Sequence, residues 1–270
     1  MTDARVDPAG TRHLRALVTG ASSGIGAAFA HALAARGRDL VLVARSTAVL
    51  EAVATDLGAK HGVRVDVVPA DLARAGAVDD LVADVAARGI EIGTLINNAG
   101  FGTHGFFAEL DAARERDEVA VNILAVVALT RAYLPAMVAR RSGGIINVAS
   151  TAAFQPVPYM ATYGATKAFV LSFSEALAEE VREHGVRVVA LCPGQTATAF
   201  FTDIEESRVG SARSAEQVVA TGLRALETGR VVAVDGFANT MMTGSVRLAP
   251  RSLVRRVAAR IERPSSLKPR

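Results

Sequence analysis

Seven short apolar runs recur along the chain, separated by longer stretches whose apolar residues fall three or four positions apart. The runs are 13–19 (HLRALVT), 39–44 (DLVLVA), 63–68, 94–97, 143–149 (GGIINVA), 186–191 and 230–234, and each predicts a strand. The first stretch between them carries Ile25, Phe29 and Leu33 at helical spacing up to Gly37. Further helices are predicted over 46–61, up to about 88, over about 112–140, 162–183 and 214–228. In 162–183, Phe169, Phe173, Leu177 and Val181 form a stripe for the core or a subunit interface, so Tyr163 and Lys167 must point toward another element. Strands alternating with helices predict an α/β fold, a parallel sheet with helices on both faces. Nothing repeats, so one domain over 13–235 is the simplest reading. It is flanked by a flexible N-terminus (1–12) and an extension at 236–270 with a helix at about 250–262, and it includes an irregular flap at 195–213 bearing Phe200 and Phe201.

Composition narrows the function classes. Half of the residues are hydrophobic and 21% are charged, which describes a folded globular chain rather than a disordered or fibrous one. No uninterrupted apolar run approaches the ~20 residues of a bilayer span, and 1–12 lacks a signal-peptide core. The single cysteine, Cys192, excludes an internal disulfide, and the five histidines do not cluster at ligand spacing. A reducing cytoplasm and no metal are the expectation. The net charge of +3 is unevenly placed: the segment from 236 onward carries +7 and leaves −4 before it, which gives no support for nucleic-acid binding by the body. Within that basic segment Leu253, Val254, Val257, Ala258 and Ile261 share one side of a helix. Docking on the body or packing against a second subunit comes first for this helix, and contact with an acidic membrane surface second.

The chemistry concentrates in Tyr163-Gly-Ala-Thr-Lys167. Four residues apart on a helix, the phenol and the ammonium lie one turn above each other. A phenol near pKa ~10 transfers protons poorly at neutral pH, and a fixed cation beside it draws that value down. The chain holds only three lysines (60, 167 and 268), so a lysine here points to a compact ammonium that donates to several oxygens. The bland alternative is a surface aromatic–cation pair.

Upstream, Thr19-Gly-Ala-Ser-Ser-Gly-Ile-Gly26 joins a strand to a helix, the setting in which backbone N–H groups hold a pyrophosphate. The candidate contacts are Gly20, Ser22, Ser23, Gly24, Ile25 and Gly26. The next strand ends at Ala44-Arg45, where an acid would bind a ribose 2′-hydroxyl; a guanidinium there favours a 2′-phosphate, hence NADP over NAD. Asp71, followed by Leu72, either touches the adenine or caps the next helix. Of five asparagines, Asn97, Asn98, Asn122 and Asn147 fall in the central part of the chain, a grouping that suits a hydrogen-bonded site. Asn122 sits in an apolar turn where its amide needs partners.

Taken together, Thr19-Gly-x-x-x-Gly-x-Gly26, Asp71, Asn97-Asn-Ala-Gly100, Asn122, Ser150, Tyr163-x-x-x-Lys167 and Pro193-Gly194 resemble the classical short-chain dehydrogenase/reductase family over nearly the whole chain. The resemblance implies a doubly wound, seven-stranded Rossmann fold and hydride exchange between a nicotinamide and an alcohol or ketone. It implies Tyr163 as acid/base, Ser150 polarising the substrate oxygen, Lys167 on the nicotinamide ribose and Asn122 anchoring a water-linked proton path. It adds Asn98, Ala99, Gly100, Pro193, Gly194, Thr196 and Thr198 as cofactor contacts, and a homodimer or homotetramer built through helices 112–140 and 162–183. Local segments look like a broad NADP-preferring bacterial group. The segments 101–107, 152–160 and 195–201, rich in Phe, Pro, Met and Ala, suggest a hydrophobic ketone or secondary alcohol, although those Phe residues equally suit a core. An epimerase or dehydratase of sugar nucleotides would add a substrate domain after about residue 200. A non-catalytic nucleotide sensor would have lost Tyr163 or Ser150.

Overall fold

A computed structural model describes residues 14–196 and 212–264. Strands β1 (Arg15–Thr19), β2 (Leu40–Ala44), β3 (Val65–Pro69), β4 (Ile92–Asn97), β5 (Gly143–Val148), β6 (Val186–Cys192) and β7 (Val232–Val234) form one sheet in the order β3-β2-β1-β4-β5-β6-β7. Every neighbouring pair is parallel. The helices are α1 (Gly24–Ala35), α2 (Thr47–His61), α3 (Ala77–Ala87), α4 (Ala112–Val119), α5 (Ala125–Ala139), α6 (Ala161–Val181), α7 (Ala215–Thr228), α8 (Phe237–Leu248) and α9 (Arg251–Ile261).

Side chains of a strand point alternately to the two faces, and here both faces are covered. Val18, Leu40 and Leu42 pack with Phe29, Leu50, Leu57 and Leu223 of α1, α2 and α7. Leu17, Val41 and Val43 pack on the other face with Leu81, Leu129, Met137 and Leu177 of α3, α5 and α6. This is why the strands read as continuous apolar runs rather than alternating ones. Each fully buried Leu or Phe stabilises the fold by about 1.5–3 kcal/mol. After β3 the chain returns to the other side of β1, so the carboxyl ends of β1 and β4 frame the crevice where open parallel sheets take ligands.

The predicted helix over 112–140 is interrupted. Asp111 caps α4 by accepting from the backbone N–H groups of Ala113 (2.7 Å) and Arg114 (3.1 Å). A π turn, Ala120–Leu124, then inserts one wider loop of backbone before α5. Apolar periodicity does not reveal such a turn because α4 buries only Glu118 and leaves no apolar stripe to compare with that of α5. The stretch 112–139 has the length and apolarity of a membrane span, and in this fold its Leu129 and Met137 lie against the sheet.

The C-terminal region also departs from expectation. Helix α8 was not foreseen, and on α9 only Val254 and Ala258 are buried while Leu253, Val257 and Ile261 face solvent. The single apolar side predicted for that helix is therefore split into a docked seam and an open one. The docked end is tied to the loop after β4, where His104 Nε2 meets the Glu262 carbonyl at 2.8 Å. On α6 the stripe is likewise divided: Leu177 and Val181 are in the core, while Phe169 is exposed and stacks on Phe173. The N-terminus 1–12, Thr198 and most of the flap lie outside the described residues.

Candidate active site

The expected residues follow the carboxyl ends of successive strands. Gly20 comes after β1, Arg45 after β2, Asp71 after β3, Asn98 to Gly100 after β4, Ser150 after β5 and Pro193-Gly194 after β6. Residues from six strands thus meet along one edge, onto which α6 projects Tyr163 and Lys167.

Both of those side chains are buried, and the Lys167 ammonium lies 5.7 Å from the centroid of the Tyr163 ring. Lys167 Nζ donates to the Val148 carbonyl at 2.8 Å, which fixes it beneath the end of β5. The Ser150 hydroxyl faces the Tyr163 phenol, near enough to favour its ionised form. Ser150 also accepts from Ala152 N–H (3.1 Å), holding its Oγ at the start of a short turn. Asn122, in the π turn, accepts from Phe101 N–H (3.2 Å) and donates to Phe101 O (2.9 Å) and Thr166 Oγ1 (3.0 Å). Gly100 separates Asn122 from the lysine, since a Cβ on it would lie 2.9 Å from Asn122 Oδ1 and 3.4 Å from Lys167 Nζ.

Electrostatics correct one expectation. In the protein alone Tyr163 is not made more acidic: burial pushes its phenol up to about 12, the Ser150 hydrogen bond opposes this, and Glu118 adds to the rise. Burial moves Lys167 the other way, to about 8, against the pull of Glu118 and Cys192. Desolvation disfavours the charged form of each group and is the largest cause of both shifts.

The glycine turn meets the requirements of a dinucleotide. Gly20 has φ +66°, and a Cβ on Gly26 would lie 2.1 Å from the Gly20 carbonyl oxygen, so α1 sits flush on the turn. Helix α1 starts without a side-chain cap or an acid in its first turn, which leaves its N–H donors for an anion. Arg45 is exposed and forms no ion pair among the described residues, as a phosphate-binding guanidinium requires.

Several candidates prove to have structural duties. Asn98 Nδ2 donates to the carbonyls of Thr19 (2.9 Å) and Gly20 (3.4 Å), so its side chain braces the turn. The backbone N–H groups of Asn98 and Ala99 donate to Thr19 Oγ1, each at 3.0 Å. Asn97 and Asn147 cross-link β4 to β5 at 2.8 Å inside the core, and Asn147 continues to Ser174 at 2.9 Å. Asp71 accepts from Ala73 N–H (3.1 Å) and does not cap α3, whose N-cap is Gly76; Leu72 is buried. Pro193 O accepts from Thr151 N–H (2.8 Å), and Thr196 Oγ1 donates to Gly194 O (3.2 Å). A Cβ on Gly194 would lie 2.3 Å from Asn239 Nδ2, so α8 abuts this turn.

Glu118 escaped the sequence reading, and Gly102 and Thr103 entered it only as part of the segment 101–107. Glu118 is fully buried in a helix that reads as mostly polar, Thr103 is bonded to it, and Gly102 lies against the Tyr163 ring. The one available signal was spacing, because Glu118 precedes Asn122 by four residues.

This arrangement has counterparts. Hydroxysteroid dehydrogenase-like protein 1 of Gallus gallus is 37% identical over 201 residues, which is 74% of this chain and 60% of that protein. Very-long-chain 3-oxoacyl-CoA reductase of Phaeosphaeria nodorum is 37% identical over 184 residues, 66% of this chain and 54% of that one. The chain thus spans somewhat over half the length of these relatives. A short-chain dehydrogenase from Sphingobium yanoikuyae, solved in complex with NADPH, superposes with TM-score 0.80 at 31% identity, covering 95% of this chain and 98% of its own. The family model described as short chain dehydrogenase matches residues 15–209, and this chain belongs to the short-chain dehydrogenase/reductase family of oxidoreductases.

Proposed function

We propose that this protein catalyses NADP-dependent hydride exchange between a nicotinamide and the carbonyl or secondary alcohol of a hydrophobic compound. One observation carries the reading: Ser150 faces Tyr163 beside a buried Lys167 at the carboxyl edge of the sheet. Two hydroxyls so placed converge on one oxygen. As a carbonyl oxygen gains charge, Ser150 donates a hydrogen bond to it and Tyr163 delivers a proton. With its phenol up at about 12, Tyr163 holds that proton at neutral pH, which suits the reducing direction. The dinucleotide, when bound, supplies the hydride, and the protein supplies placement. Gly20, Ser22, Ser23, Gly24, Ile25 and Gly26 would cradle its pyrophosphate, and Lys167 would hold the nicotinamide ribose. Asn122, whose side-chain oxygen lies beside Gly100, would lead the replacement proton inward.

The choice of NADP rests on Arg45 and is supported by the NADPH complex of the Sphingobium relative. A hydrophobic substrate is supported by Val157 and Met160, which pack with Tyr163, by exposed Phe106 and Phe107, and by the steroid and long acyl chains in the relatives' names. Membership of an NADP-preferring bacterial group, a cytoplasmic location and a homodimer or homotetramer belong to the same proposal. Exposed Leu124 and Phe169, on the helical stretches named for subunit contacts, support the last of these. The test is a panel of bulky ketones and long-chain 3-oxo compounds read by NADPH absorbance, with Tyr163→Phe alongside. Turnover should fall by about 10²–10⁴-fold in the variant while NADPH binding persists. A panel without turnover alongside intact NADPH binding would favour a sensor.

A further inference from the structure

Glu118 is fully buried, and nothing in the proposed reaction employs it. Its Oε2 accepts from Thr103 N–H at 2.9 Å and lies 3.0 Å from Thr103 Oγ1, while its Oε1 has no hydrogen-bond partner among the described residues. The same Thr103 hydroxyl is also bonded to Glu115 Oε1, and Glu115 Oε2 takes a second hydroxyl, from Thr162 beside Tyr163. A threonine hydroxyl carries one proton and can donate to one carboxylate only. With both acids ionised, one of its two contacts would set lone pair against lone pair. A single additional proton on the fully buried Glu118 resolves this: Glu118 donates to Thr103, and Thr103 donates to Glu115.

We infer that Glu118 is a positioning residue that works as a neutral carboxylic acid, its proton clamping the loop after β4 to α4 and so seating Gly102 against the Tyr163 ring. The loop is well placed to transmit this, because a Cβ on Gly102 would lie only 2.8 Å from Tyr163 Cδ2 and Thr103 is the next residue. The charged or titratable groups facing Glu118 are Glu115 on its own helix and Lys167 and Tyr163 on α6. Burial, helped by Glu115, lifts Glu118 to about 7, against the Thr103 hydrogen bonds and Lys167. Above that pH the clamp loses its proton, and the new anion disfavours the phenolate of Tyr163. The catalytic consequence rests on Tyr163 being the acid/base; the clamp itself does not.

The experiment compares the full-length wild type with Glu118→Gln and Glu118→Leu, and includes Tyr163→Phe as a control. A raised folded-state pKa means that the folded protein holds the proton more tightly than the unfolded chain, so stability is lost as pH rises from the ordinary Glu range to about 7. The Tm of Glu118→Gln, which keeps one of the two Thr103 contacts and carries no titrating proton, should therefore gain on the wild type between pH 5 and pH 8. Its kcat should lie between those of the wild type and Glu118→Leu below pH 7 and lack the wild-type inflection near 7. Glu118→Leu should lose about tenfold or more in kcat at every pH, with KM little changed. A Tm difference between Glu118→Gln and wild type that does not vary with pH, or a Gln variant as inactive as Leu, overturns the inference. If Tyr163→Phe keeps its turnover, the catalytic reading fails, while the Tm comparison still judges the clamp.

Discussion

Lys167 stands 5.7 Å from the centre of the Tyr163 ring, yet the two shift each other's ionisation less than their common burial does. The ammonium is held by the Val148 carbonyl in a pocket that has stripped it of water. A cation in that position costs stability.

That cost is measurable. Lys167 is depressed to about 8 from an ordinary value of about 10.5, so its charged form is penalised in the fold below about pH 8, and the penalty is relieved as pH rises toward 10.5. Lys167→Met should raise Tm by a few degrees at pH 7 and lose that advantage near pH 10.5. Turnover should vanish in the same variant. Equal Tm values at pH 7, by calorimetry, would mean that the Val148 hydrogen bond fully offsets the desolvation.

Gly102 lies so near the Tyr163 ring that a methyl group there would stand 2.8 Å from Cδ2, 3.1 Å from Cγ and 3.4 Å from Met160 Cε. Because all of these are buried or braced, the ring must yield. Gly102→Ala should lower kcat by about 10–100-fold while NADPH affinity changes by less than about threefold. Steady-state kinetics with dye-free fluorescence binding of NADPH separates the two.

Arg45 is expected to discriminate between cofactors rather than to bind either one as a whole. Arg45→Ala should weaken NADPH by on the order of 10–100-fold, the value of one charge-assisted contact, and leave NADH unchanged. Equal losses for the two dinucleotides in titration would place Arg45 away from the 2′-phosphate.

Asn98 provides the contrasting case. Removing its amide leaves the carbonyls of Thr19 and Gly20 without that donor, at about 1–3 kcal/mol. Asn98→Ala should lower the urea midpoint and weaken NADPH and NADH alike. A variant with unchanged stability and lost binding would make Asn98 a direct contact instead.

Much of this was legible without coordinates, for identifiable reasons. Strands buried on both faces must be apolar throughout, so their positions were readable to within two residues, as was the helix bearing Tyr163 and Lys167. The four central asparagines were noticed as a group but not separated, because a side-chain amide looks the same in sequence whether it cross-links β4 to β5, braces a turn or fills a π turn. Asp71 as a helix cap failed because α3 begins at Ala77, beyond its reach. Glu118 was invisible, since Arg-Glu-Arg-Asp-Glu reads as a solvated face until the loop after β4 folds over it.

By itself, then, the sequence determined the alternation of strands and helices, the glycine turn and the pairing of Tyr163 with Lys167, because each depends on residues within a few turns of one another. Tertiary structure alone decided which ionisable groups lose their water, which carboxyl is buried and which glycine touches the Tyr163 ring. Those outcomes depend on what packs over a residue from distant parts of the chain, and desolvation, unlike helical spacing, leaves no local pattern to read.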